Sequence, residues 1–334
     1  MRTFSVSLLV VFLAAAGVLV AQVRTATSTS SVSSAAGIPS GYSILGDTAV
    51  SPPGYSLHGT IETGGTWAFR RTFNNQDQLP SVATANRKFY VISPNGTTQE
   101  YDPIADSWTS KSPNPFPASI APAASANNKV YVFGGIKSGV VGTVQRYDPA
   151  TDSWATMASM PTARYGMGVA EVSGSIYVVG GYESTQQSLA NEVYDPSTNT
   201  WSTKAPVNEG HLFPAAISSE GKIYVVGPGS VDTEEFDPVS NTWTLRSPFP
   251  SISGALSGGV LNGQIVVLDG SGQRTMAYDT SNDQWDDVAI LPVNKSFSTV
   301  GSNEAGLFSF GGQGPGSSTL QLIPRTVFYI HQKN

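Results

Sequence analysis

The sequence predicts an all-β fold of six four-stranded blades set around an axis, and three observations predict it. All six tryptophans, Trp67, Trp108, Trp154, Trp201, Trp243 and Trp285, fall at one repeat position, spaced by 41, 46, 47, 42 and 42 residues. An aromatic-Asp pair stands seven residues ahead of five of them: Tyr101-Asp102, Tyr147-Asp148, Tyr194-Asp195, Phe236-Asp237 and Tyr278-Asp279. An apolar run ending in glycine recurs in phase with both, as Val130 to Gly135, Ile176 to Gly181, Ile223 to Gly227, Ile265 to Gly270 and Leu307 to Gly312. Self-similarity at a fixed period of this length marks a repeat architecture.

Composition agrees. The chain has 334 residues, with 34 Gly, 22 Pro and only 13% charged residues, which suits many short strands and turns rather than surface helices. Net charge is −6, from 18 basic and 24 acidic residues with no basic stripe, so nucleic acid is not an expected partner. There is no cysteine. Disulfides, Cys-ligated zinc and thiol nucleophiles are thereby excluded, and packing and ring closure must hold the fold.

From the N-terminus, Arg2 precedes an uncharged run of 17 residues, Phe4 to Val20, with small residues at Ala14 to Gly17 and at Ala21. This reads as a signal peptide over 1–21 and implies a secreted protein; an uncleaved membrane anchor is the alternative. Residues 22–40 are rich in Ser, Thr and Ala and read as a linker. Residues 41–334 are then expected to form one domain. Two glycosylation sequons follow, Asn95-Gly96-Thr97 and Asn294-Lys295-Ser296.

Each repeat reads as four strands. Strand a is rich in small residues, as in Ala121 to Ala126 and Gly166 to Glu171, because strands converging on an axis are crowded. Strand b is the β-branched and aromatic run before the glycines, strand c ends in the aromatic-Asp pair, and strand d carries Trp. Short runs bounded by Gly, Pro, Asn and Ser are strand signals. Asp and Pro turn the chain from c to d. The indole supplies apolar area between neighbouring sheets. The repeated residues are therefore assigned to the scaffold. Five blades run whole, and the sixth is composite: Ser298 to Gly312 supplies its first two strands and the segment around Trp67 its last. Its strand c is left open among Thr319 to Ile323, Val327 to Ile330 and the stretch near Leu57 to Ile61. The segment Thr60 to Trp67 loosely resembles a sialidase Asp-box, and is read instead as a worn c–d turn.

The glycine pair followed by Tyr-Asp-Pro and then Trp resembles the kelch repeat over residues 60 to 325. The resemblance implies a six-bladed kelch-type β-propeller with one repeat per blade, the ring closed by N- and C-terminal segments sharing a blade. Copper radical oxidases similar to galactose oxidase share that fold, but they need a cysteine this chain lacks. The Glu-x-x-x-Asp-x-x-x-His cluster of plant specifier proteins is also missing. Sialic-acid mutarotases, exported kelch propellers of similar size, remain compatible.

Strand order places the b–c loops and the d–a loops on one face, where length and sequence vary most. Arg164, Tyr165, His211, Phe213, Tyr182 and Lys295 are the candidate ligand-binding residues of that face. Aromatics mixed with polar groups suit a glycan or a peptide. No Gly-x-Ser-x-Gly, His-Glu-x-x-His or P-loop occurs, and the three histidines, His58, His211 and His331, are far apart in sequence. No metal and no cofactor are expected. The expected function is an exported, monomeric, non-catalytic binding module for an extracellular glycan or protein. The alternative is a carbohydrate-active enzyme, which would draw its carboxylates from Glu171, Glu183, Glu209 and Asp232.

Overall fold

The computed structural model describes the backbone of residues 6–9, 22–25, 43–45, 48–50, 55–71, 79–250, 254–270, 274–293, 295–313 and 319–332. The chain divides into two units, Thr66–Ile323 and a second made of Met1–Gly65 with Pro324–Asn334. In the second unit, Val6–Leu9 pairs antiparallel with Gln22–Thr25 and with Val327 to Ile330, and Ser43–Leu45 forms a hairpin with Thr48–Val50. The expected leader and linker, 1–40, lie largely outside the described residues, as does the sequon residue Asn294.

The larger unit is a six-bladed β-propeller. Blade 1 runs Ser81–Ala85, Lys88–Ile92, Thr98–Asp102 and Ser107–Lys111 as strands a to d. Blades 2 to 5 repeat the antiparallel meander, beginning at Ala123–Ala126, Gly168–Val172, Ala215–Ser219 and Ser257–Leu261. Blade 6 opens with Ser296–Asn303 and Gly306–Gln313. Its strand c, open in the sequence, is the start of Thr319–Gln332: Leu320, Gln321 and Leu322 face Ser309, Phe308 and Leu307. Its strand d is the end of Tyr55–Arg70, which pairs with strand c; Arg70 Nε donates to Gln321 Oε1 at 2.7 Å.

The core is divided into six clusters, one at each blade junction. Between blades 2 and 3, Tyr131 and Phe133 pack on Met167, Ile176, Val178 and Tyr194. Between blades 6 and 1, Phe308 and Phe310 pack on Phe89, Val91 and Tyr101, with Phe89 and Phe308 centroids 4.9 Å apart. The ring therefore closes on the same kind of apolar junction that joins consecutive blades.

A polar seam runs around the rim beside these clusters. The residue two before each of five tryptophans is Asp or Asn in the left-handed region: Asp106, Asp152, Asn199, Asn241 and Asp283, with φ between 48° and 56°. Asx residues tolerate that region best after glycine. Each Oδ1 accepts an N–H from the preceding blade, donated by Arg71, Ser112, Ala158, Ala205 and Ser247 in turn, at 2.8–2.9 Å. Where strand c ends in Tyr, the phenol of the same blade donates to that oxygen as well. The carbonyls of those five residues accept from the indole N–H groups of Trp108, Trp154, Trp201, Trp243 and Trp285. One residue in each of five blades is thus clamped at both its N–H and its C=O by the next blade. Trp67 continues the series differently, donating to Thr275 Oγ1 of blade 5 at 2.9 Å.

Candidate functional site

The d–a loops end in strand a at the axis, and one left-handed residue per blade turns the chain there. These residues are Leu79, Ile120, Gly166, Phe213, Gly254 and Phe297, with φ between 48° and 64°. The turn aims backbone groups from blade to blade. Gly166 N–H donates to Ile120 O, Phe213 N–H to Gly166 O, Leu256 N–H to Phe213 O, and Leu79 N–H to Phe297 O. Phe213 covers Gly166 so closely that a Cβ at 166 would lie 2.9 Å from its ring.

Two cavities lie along the axis. The outer one, about 180 Å³, is bounded by residues that include Leu79, Ile120, Met167, Phe213 and Leu256 at the d–a end. The other, about 300 Å³ and nearer the a–b end, is lined by small and hydroxyl residues such as Thr84, Ser125, Ser218 and Ser302, together with Glu171. Glu171 Oε1 accepts the Gly174 N–H at 2.5 Å. Among Glu171, Glu183, Glu209 and Asp232, only Glu171 lines either cavity. Among the described residues, no group of three His, Asp or Glu side chains is placed to hold a metal ion.

The b–c and d–a loops do share a face. Tyr165 pairs with Tyr182 and Ser119 with Ile136 in isolated bridges. Of the six candidate residues, Tyr165, Tyr182 and Phe213 come together. Tyr165 lies 5.7 Å from Tyr182 and 6.4 Å from Phe213, centroid to centroid, and all three are partly exposed. Phe213 also walls the outer cavity, so the aromatic cluster and the channel mouth are continuous. In the neighbouring blade, Phe116 is exposed and carries Lys137 Nζ 5.2 Å above its ring.

Arg164, His211 and Lys295 do not join that surface; their side chains turn inward and are 0%, 0% and 2% exposed. Strand register shows them to be one position in three blades, four residues before Gly168, Ala215 and Thr299, which pair with or align to the end of strand b. Each reaches backbone carbonyls of its own blade. Arg164 donates to Gly180 O at 2.7 Å and Ala190 O at 3.0 Å, His211 Nδ1 contacts Gly227 O at 3.3 Å, and Lys295 donates to Ser309 O at 3.2 Å. Buried charge requires a partner. Strand c supplies one in two blades at the same register position: Glu192 for Arg164 at 2.7 Å and Glu234 for His211 at 2.9 Å. Sequence reasoning missed both acids, although each stands two residues before its Tyr or Phe-Asp pair and so could have been matched to its cation. Blade 6 has Leu320 there. Burial pushes the Lys295 ammonium down to about 7. Burial would raise the Glu234 carboxyl, but His211 and both nitrogens of Asn208 hold it below its ordinary value. Burial likewise lowers Arg164 against the pull of Glu192.

The glycine pairs complete this arrangement. Gly134 (φ +55) lies where a Cβ would meet the Arg164 carbonyl at 2.4 Å, so the next blade's d–a loop can seat only against glycine.

The kelch motif profile matches residues 121–161 and 163–208, which are blades 2 and 3 with their adjoining loops. No curated protein matches the chain significantly. A solved structure titled "Structure of YjhT" superposes with a TM-score of 0.66 and 18% identity, over 76% of this chain and 96% of that one. At that identity the likeness is one of fold.

Proposed function

Taking the chain as a kelch-repeat β-propeller, we propose that it is an exported, non-catalytic binding module that takes a glycan or a protein on the b–c/d–a face. The observation that carries this reading is the partly exposed cluster of Tyr165, Tyr182 and Phe213 at the mouth of an open cavity. Aromatic rings offer large contact area at small entropic cost. The buried ionisable groups of these loops serve the scaffold: Glu192 holds Arg164 and Glu234 holds His211. A carbohydrate-active enzyme of the mutarotase kind has one support, the Glu171 carboxylate on the channel wall.

The test is a screen of residues 41–334 against a glycan array and a panel of extracellular proteins, with Tyr165→Ala/Tyr182→Ala alongside. Removing two contact aromatics is expected to weaken binding by about tenfold or more. Undiminished binding by the double variant would place the ligand elsewhere and sink the reading. Reducing sugars in the same screen, followed for anomer interconversion, test the enzymatic alternative.

A further inference from the structure

We infer that Tyr165 and Tyr182 receive an arginine side chain from a peptide segment of a protein partner, with Glu183 and Glu209 as its counter-charges. This rests on the reading above and names the chemistry of its ligand.

Two neighbouring blades share a register here and differ in one charge. Ser119 pairs with Ile136 in blade 2 just as Tyr165 pairs with Tyr182 in blade 3. Ile136 follows Gly134-Gly135, and Tyr182 follows Gly180-Gly181. The next residue is Lys137 in one blade and Glu183 in the other. In blade 2 the exposed ring of Phe116 has Lys137 Nζ 5.2 Å from its centroid. The chain thus covers that ring with its own ammonium, drawn to the negative face of the π-system. In blade 3 two partly exposed tyrosines stand 5.7 Å apart, and the matching residue is an acid. A cation that covers these rings has to come from outside the blade.

The surrounding charges agree. The b–c loop of blade 3 abuts the d–a loop that carries Glu209, because a Cβ on Gly210 would lie 2.9 Å from Gln187. That d–a loop bonds in turn to blade 4, where Leu212 N–H donates to Pro228 O at 2.9 Å and Asp232 stands near the start of strand c, Ser230–Asp237. Glu183, Glu209 and Asp232 are all at least partly exposed. Arg164 and His211 of the same loops are buried against Glu192 and Glu234. Lys204 directly follows strand d, the outermost strand of its blade. Acids beside aromatic faces favour a cation and repel a carboxylate or a sulfate.

Guanidinium suits this place better than ammonium. It is planar, so it lies flat on a tyrosine ring while its N–H fork reaches a carboxylate. Leu189, exposed in the same b–c loop, offers apolar surface to the methylene stem.

The experiment is a ligand-observed NMR titration of the full chain with N-acetyl-Gly-Arg-Gly-amide, its Gln and Glu counterparts, and methyl glucosaminide. The Arg probe is expected to bind at least about fivefold tighter than the Gln probe, an advantage that shrinks as salt rises. The Glu probe should be the weakest of the peptides. Glu183→Lys gives blade 3 the charge of blade 2 and should weaken the Arg probe by about tenfold, with Glu183→Gln showing a smaller loss of the same sign. Melting like the wild type is the control for each, and Glu209→Gln takes the place of a variant that fails it. Gln binding as tight as Arg, or Arg binding unchanged in both Glu183 variants, overturns the inference. Glucosaminide binding tighter than the Arg probe overturns the peptide as the source of the cation. No binding of the Arg probe also overturns it. If the screen above still yields a ligand that Tyr165→Ala/Tyr182→Ala loses, the binding face stands and only the cationic occupant fails.

Discussion

At the residue scale, the Asx at Trp −2 carries more of the fold than its small size suggests. Asn199 accepts the Tyr194 phenol at 2.7 Å and the Ala158 N–H at 2.8 Å, from its own blade and its neighbour's. Replacing it by glycine relieves the left-handed backbone but removes both bonds. Asn199→Gly is therefore expected to lose ~1–2 kcal/mol in urea melts, and Asn199→Asp to lose much less. A glycine variant as stable as the wild type would show that backbone strain outweighs the clamp. The sequence displayed this residue type at all five positions, next to the tryptophans that revealed the repeat. It went unread because an Asx in a turn is ordinary, and only the register of the next blade shows what its oxygen receives.

At the scale of the elements, strands and turns were legible because they depend on local chemistry: β-branched runs for strand b, Asp-Pro for the c–d turn, small residues for strand a. The candidate site was legible by face but not by side-chain direction. Tyr165, Tyr182 and Phe213 are where loop placement puts them, whereas Arg164, His211 and Lys295 answer carbonyl groups inside the blade. No local signal distinguishes a cation turned outward from one turned inward. Lys295 gives this a measurable consequence. Its folded-state value near 7 lies below the ordinary 10.5, so between those values the unfolded chain binds more protons than the folded one. Stability should rise with pH across that window, and the burial penalty is complete below about 7. Lys295→Met should flatten the rise in Tm between pH 7 and 9 and raise Tm at pH 7 by a few degrees, on the order expected for ~1 kcal/mol. A Met variant with the same pH slope would exclude Lys295 as its source.

At the scale of the whole molecule, the composite blade follows from counting tryptophans against glycine runs, while its third strand had three candidates of similar pattern. Pairing decides among them, because only Thr319 to Ile323 puts Leu320 and Leu322 against Trp67, Leu261 and Leu307 in one cluster. The junction to blade 1 then gathers the Phe89–Phe308 contact, the Leu79–Phe297 and Thr299–Pro80 bonds and the clamp on Arg71. Deleting residues 319–334 strips blade 6 of strand c and exposes these surfaces. The expected result is an aggregating protein or one with a broad, early melt; a soluble product with an unchanged Tm would refute ring closure by this blade. The clamps have one more consequence, which concerns ageing. Asparagine slowly hydrolyses to aspartate, and in the clamps of blades 3 and 4 that change leaves the accepting oxygen in place. Blades 1, 2 and 5 already use aspartate there. Where the product is aspartate rather than its backbone isomer, a ring without disulfides can therefore lose ammonia at Asn199 and Asn241 and keep the accepting oxygens of its seams.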